Sequence, residues 1–209
     1  MAEIIILANS FRPGGYCMAG IDSRTGEWIR PIPRDGSRAI RMSVAEKIGL
    51  LDVVEIPFES GRPKDRYQRE NRFVASWNWK IVRNVLPNKI IGYCENSTII
   101  LHSHTDYVEP KYLESLPFEQ WKSLQLIQTN VNFSKDTYKT RHWRASFCDG
   151  SGHPLYLKVT DSIIVAKLNN NTKVGSDCIL TISLTGPWAP PGGSQPKRCY
   201  KLVAGVIEL

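Results

Sequence analysis

Several familiar signatures are missing from this 209-residue chain. Its five cysteines (17, 94, 148, 178 and 199) are odd in number, widely spaced and form no Cys-x-x-Cys pair, which argues against a disulfide framework and a cysteine-rich zinc site. All five read as buried, reduced thiols. No stretch approaches the ~20 consecutive apolar residues a membrane span needs. The run from Ile4 to Ala8 follows Glu3 and has no basic segment before it, so it reads as a buried strand rather than a signal sequence. The expected location is the cytoplasm, with no membrane partner. Walker A, Gly-x-Gly-x-x-Gly and Gly-x-Ser-x-Gly motifs are all absent. No cofactor is implied.

What is present is basic and β-rich. The net charge is +7, which favours anionic partners. Eleven of the 14 arginines fall within residues 1–105, so specific recognition is expected there, because guanidinium offers a planar donor fork and lysine only a point charge. Short runs rich in β-branched and aromatic residues recur at 3–8, 16–21, 28–32, 52–58, 73–76, 98–102, 141–148, 155–160, 163–168, 178–184 and 199–208. Their density predicts a mainly β protein of small barrels or sandwiches. Residues 43–49 read as one or two helical turns. Two short helices are expected from 109 to 127, with Pro110 and Pro117 at their first positions. The chain thus divides into a β-rich unit at 1–105, a helical connector at 106–127 and a second β-rich unit at 128–209.

The stretch from Asn9 to Arg34 concentrates ligand-binding residue types. Arg12 and the backbone of Gly14 and Gly15 could hold phosphate, Trp28 could stack, and Arg30 and Arg34 could add charge; the glycines equally fit a tight turn. Pro31 and Pro33 place the end of that strand at an edge or bulge. The charged segment 60–72 (Arg62, Lys64, Arg66, Arg69 and Arg72 against Asp65 and Glu70) reads as a solvated loop, with a clamp on a polyanion as the alternative. Farther on, RHWRASF and PLYLKVTD flank a Gly-containing turn. Alternation puts Arg141, Trp143, Ala145 and Phe147 with Leu155, Leu157 and Val159 on one face of a hairpin. His142, Arg144, Tyr156 and Lys158 then share the other, a cationic and aromatic surface suited to single-stranded nucleic acid.

These motifs together resemble the dual-OB domain family of prokaryotic proteins associated with conflict and defence loci. The resemblance rests on ANSFRPGGYCMAGID, GEWIRPI, VVEIP, WRASF with LYLKVTD, and ISL with CYKLVAGVI. It implies two tandem OB-like barrels joined by a short helical connector, and a nucleic-acid-binding or sensing role without assigned catalytic residues. The leading expectation is therefore a non-enzymatic module that binds nucleic acid or a nucleotide-like anion. One rival is a metal-dependent hydrolase or nuclease, for which HSHTD offers His102, His104 and Asp106 as ligands. Another is an adaptor for a protein partner of the same system. On this reading, removing Arg30 and Arg34 together should weaken binding more than removing Lys111.

Overall fold

The computed structural model describes residues 1–61, 63, 65, 67–136, 142–190 and 195–209. Arg62, Lys64, Arg66 and Arg141, assigned above to the charged loop and the hairpin, lie outside the described residues.

The chain opens on β1 (Ala2–Arg12), β2 (Gly15–Asp22) and β3 (Trp28–Ile32), an antiparallel meander. After α1 (Met42–Ala45) come β4 (Asp52–Ile56), β5 (Asn71–Phe73) and β6 (Lys80–Asn84), giving the order β5-β3-β2-β1-β4-β6. β5 runs parallel to β3. Beyond β4, Glu59 N donates to Phe73 O (2.9 Å) and Ala75 N to Pro57 O (2.8 Å), which closes the sheet into a small barrel. Pro31 costs nothing here. Arg30 N donates to Glu70 O and Ile32 O accepts from Val74 N, so the residue between them has no ladder bond to make on that side, and β2 pairs only with Trp28 and Ile29.

A second sheet follows. β7 (Tyr107–Val108) precedes α2 (Pro110–Ser115), and then come β8 (Leu124–Asn130), β9 (Asn132–Lys135), β10 (Trp143–Cys148), β11 (Pro154–Val159), α3 (Ser162–Asn169), β12 (Asp177–Leu184) and β13 (Cys199–Glu208). Its order is β8-β12-β13-β11-β10-β9, with β7 on β13. β8 and β9 are one strand broken at buried Val131, so the two ends of the sheet are joined by the chain itself. β13 is parallel to β11, and α3 fills the crossover between β11 and β12. Both halves thus share one plan, a three-strand meander, a helix, and two more strands closing a barrel, to which the first half adds β6 alongside β4. The protein is mainly β, as expected.

Three segments depart from expectation. Residues 163–168 form helix α3, not a strand. Asp161 caps it, its Oδ1 accepting from Ile163 N (2.9 Å) and Ile164 N (3.0 Å), and this local bonding outweighs the β-branched Ile163, Ile164 and Val165. Residues 98–102 form a turn in which Leu101 and His102 take φ of 41° and 74°. The helical turns between 109 and 127 are present, but β7 before them and β8, which starts at Leu124, both join the second sheet. The uniform reading of the cysteines also fails: Cys178 and Cys199 are buried, Cys17 and Cys94 are partly exposed and Cys148 is exposed.

The barrels are fused along β1. Ile4 and Ile6 enter the first core, while Ile5 and Leu7 pack with Leu126, Ile179 and Ile207 of the second sheet. A strand covered on both faces reads as a continuous apolar run, which is what EIIILA is. β1 bulges at Leu7, whose carbonyl accepts from Thr181 Oγ1 (2.5 Å). β13 is irregular opposite Thr181 and Ile182, and Gly205 there lies so close that a Cβ would sit 2.0 Å from Leu7 O. Toward its end, β1 bonds directly to the other half, with Phe11 N donating to Thr160 O (2.9 Å).

Asp161 anchors this seam, its Oδ2 accepting from Val206 N (2.9 Å). Burial pushes its carboxyl up to about 6, against the opposing pull of three backbone N–H groups. A carboxyl raised in the folded state takes up a proton on folding between its unfolded and folded values. Stability from this group therefore rises as pH falls from 6 toward 4, on the order of 2 kcal/mol across the window. Urea unfolding at pH 4.5 and 6.5 should show that difference shrink in Asp161→Asn, which no longer titrates.

Candidate nucleic-acid interface

In barrels of this plan, the second and third strands of the meander form the face that holds oligonucleotides, helped by the loops at the same end. In the first barrel these strands are β2 and β3, and their outer face is covered. Arg30 is 4% exposed and reaches across the seam: its Nη2 lies 2.8 Å from Glu70 Oε1, 3.3 Å from Ser123 Oγ and 3.4 Å from Ser183 Oγ. Ser123 Oγ in turn donates to Glu70 (2.5 Å). Arg30 is therefore a brace between barrels and not a surface cation. Nearby, Ala8, Ala19, Leu124 and Ala204 bring the two sheets into contact with Trp28 alongside.

Arg12, the two glycines and Arg34 are instead spent on the first barrel. Pro13 and Gly14 make a two-residue turn between paired Arg12 and Gly15, with Gly14 at φ 84° as Pro-Gly turns require. Gly15 is needed for packing, because a Cβ would lie 2.5 Å from Ile40 O. Arg12 donates to Arg38 O (2.8 Å), and Arg34 pairs with Glu59 and lies over the Phe73 ring at 4.5 Å. The turn reading of the two glycines holds. The charged loop is likewise not simply solvated: Glu70 is buried, Asp65 pairs with Arg38 (2.7 Å), and Arg69 donates to Glu119 O (2.6 Å).

In the second barrel the equivalent strands are β10 and β11, and their outer face is open. Ala145, Phe147, Leu155, Leu157 and Val159 are buried beneath it, as the alternation predicts. Arg144 lies directly opposite Lys158, and Ser146 opposite Tyr156. His142 Nε2 is 3.2 Å from Lys158 Nζ, and the Arg144 guanidinium is 5.5 Å from the centre of the Tyr156 ring. The four residues expected to share this face do share it. β9 extends it with Asn132 and Ser134; Ser134 Oγ is 3.2 Å from Tyr156 OH, and Lys135 sits 5.7 Å from the Trp143 ring. Sequence reading missed β9, although NFSK alternates across its two faces.

The electrostatics of this face are unbalanced. Arg144 meets Asp136 at 3.3 Å, and Asp136 has further interactions of its own. Burial and then the Arg144 charge hold the Lys158 ammonium below the ordinary lysine range. Burial, then Lys158 and Arg144, push the His142 imidazole down as well. Cations that depress one another are relieved by an anion laid across them.

The HSHTD ligand set does not assemble. With His102 at φ 74°, its ring turns to the Lys122 backbone, Nε2 lying 3.0 Å from the carbonyl oxygen, and exposed Asp106 stays outside the donor cluster that His104 joins. His104 reaches Asp149 instead, with Nδ1 2.6 Å from Oδ2. No helix among the described residues is long and apolar enough to cross a membrane.

No curated protein matches the chain. A family model, the dual OB-containing domain, matches residues 2–206. With two barrels of one plan and a match over nearly its whole length, the chain belongs to the dual OB-containing domain family, whose folds are of a general nucleic-acid- or oligonucleotide-binding type.

Proposed function

We propose that the protein binds single-stranded nucleic acid on the outer face of β9, β10 and β11, without catalysing a reaction on it. The observation that carries this reading is the cluster Arg144, Lys158, His142 and Tyr156 on the one meander face that the seam leaves open. Arg144 and Lys158 would meet phosphates and the exposed Tyr156 ring would stack on a base. The corresponding face of the first barrel serves as the mount. A sensing role in prokaryotic defence, as the family resemblance implies, would use this same surface. On this reading the units 1–105 and 128–209 and the connector between them divide the work into support and recognition.

Fluorescence anisotropy with labelled single-stranded DNA and RNA at low salt tests it. Arg144→Ala with Lys158→Ala should weaken binding at least about tenfold and flatten the salt dependence by about 1.4 in log–log slope, from two lost phosphate contacts. Arg34→Ala, already paired with Glu59, should change little. Affinity should also rise as pH is lowered, since a bound phosphate favours protonated His142, whose imidazole is held below its ordinary range in the free protein. Undetectable binding to any oligonucleotide at low salt would reject the proposal.

A second reading is favoured by one specific feature. A crevice of about 300 Å³ at the seam is lined by Trp28, Trp121, Arg69 and Lys122. Glu27, Glu70, Glu95 and Glu119 line it as well as Arg69, Arg72 and Lys122, so its volume suits a small molecule but its charge singles out no anion, and mass spectrometry of ligand co-purified with the protein would identify an occupant.

A further inference from the structure

The turn between β10 and β11 folds back on the segment that carries His104. Asp149 opens it with an Asx turn: Oδ1 accepts from Ser151 N (2.9 Å) and His153 N (3.0 Å). Asp149 N donates to His153 O (2.9 Å), and Gly152 takes φ 82°. The turn is docked on 97–98, since Ser151 Oγ donates to Thr98 O (3.2 Å) and a Cβ on Gly150 would sit 2.6 Å from Ser97 O. Two segments more than 40 residues apart therefore meet at one carboxylate. His104 Nδ1 is 2.6 Å from Asp149 Oδ2, His153 Nδ1 is 3.6 Å from Oδ1, and the two imidazole rings lie 4.1 Å apart.

We infer that His104, Asp149 and His153 form a binding site for a divalent transition-metal ion of the zinc class. Two imidazoles and one carboxylate suit zinc and its neighbours, whereas calcium and magnesium take mostly oxygen donors. The three donor atoms lie within 4.8 Å of one another. Metal–ligand bonds of about 2.0–2.2 Å put the donors of a four-coordinate ion about 3.3–3.6 Å apart, so the ion would part the His104 Nδ1–Asp149 Oδ2 pair from 2.6 Å while the His153 ring swings in to close the set. His153 can make this swing, with its side chain 54% exposed, while the Asp149 side chain is fully enclosed and fixed by the backbone. Among the described residues, the ion-pair partners of that enclosed carboxylate are the two imidazoles. The buried Lys201 ammonium, bonded to Ser103 O (2.6 Å), also acts on Asp149 through space, so a bound ion would share this carboxylate with a nearby cation. Three protein ligands leave a fourth position open toward solvent beside His153. The bound ion would also tie the 102–106 loop to the tip of the β10–β11 hairpin.

The inference does not depend on nucleic-acid binding, and its test uses the metal alone. The full chain is stripped with chelator and titrated with zinc by calorimetry and with cobalt(II) by visible absorption. One equivalent should bind, cobalt should develop the strong d–d bands of a four-coordinate site, and zinc should raise the melting temperature. His153→Ala, at an exposed position, should keep the fold by circular dichroism. Its zinc affinity should fall by more than the ~10–100-fold expected for an outer-shell partner. His104→Ala should do the same, and His102→Ala should bind as the unmodified chain does. Absence of a stoichiometric site, or a site that survives His153→Ala and His104→Ala unchanged, overturns the inference.

Discussion

Replacing Arg30 with Ala should destabilise the folded chain by about 3–5 kcal/mol, the usual cost of removing one partner of a buried ion pair. Glu70, at 6% exposure, would lose its counter-charge, and the hydroxyls of Ser123 and Ser183 would lose a donor at the seam. Urea or thermal unfolding measures this directly. A second variant separates pairing from packing: Arg30→Met with Glu70→Leu removes both charges and should recover most of the loss, since well-packed apolar pairs often match a buried ion pair. A change below about 1 kcal/mol in Arg30→Ala would mean that the brace is solvated, because exposed pairs contribute that little. The same substitution cannot serve as a probe of ligand binding, since any loss of affinity would follow the loss of fold.

Gly205→Ala should be nearly as damaging, on the order of 3 kcal/mol, through overpacking that no rotamer can relieve. The added Cβ would sit 2.0 Å from Leu7 O and 3.2 Å from Ala8 Cα, both backbone atoms of the facing strand. To make room, β13 must move off β1, and the Thr181 hydroxyl bond to Leu7 O is pulled apart as it does. Gly175→Ala, where the nearest atom to a Cβ is a Glu208 side-chain oxygen at 3.7 Å, is the matched control and should be close to neutral. Equal melting temperatures for the two variants would show that the seam adapts.

The barrels were legible because β-branched runs and turn residues mark strands locally, and the hairpin face was legible because alternation fixes which side chains share a side. The apolar stripe under Arg144 and Lys158 and the cations above it follow from period two alone. Burial of Arg30 was not legible. Its pattern in WIRPI is that of a surface cation, and only the docking of a second barrel onto β3 takes it out of water. Asp161 reads as the cap of a turn, but the Ile-Ile-Val run after it favours a strand, and only the two N–H groups that its carboxylate holds turn the segment into a helix. The His104–Asp149–His153 cluster joins loops far apart in sequence, and positive φ at His102 breaks the His-x-His spacing that pointed to a different set.

The sharing of β1 between barrels also sets a timetable. The carbonyl of Leu7 waits for a hydroxyl 174 residues later in the chain, and Ile5, Ile21 and Val53 wait for Ile179 and Ile207. At a synthesis rate of about 5–20 residues per second, that interval is roughly ten to thirty seconds. Until it ends, the first barrel presents an uncovered apolar flank to everything around the nascent chain. Slow codons or a stop between the two barrels would prolong the risk of aggregation, and the final strand acts as the lock that ends it.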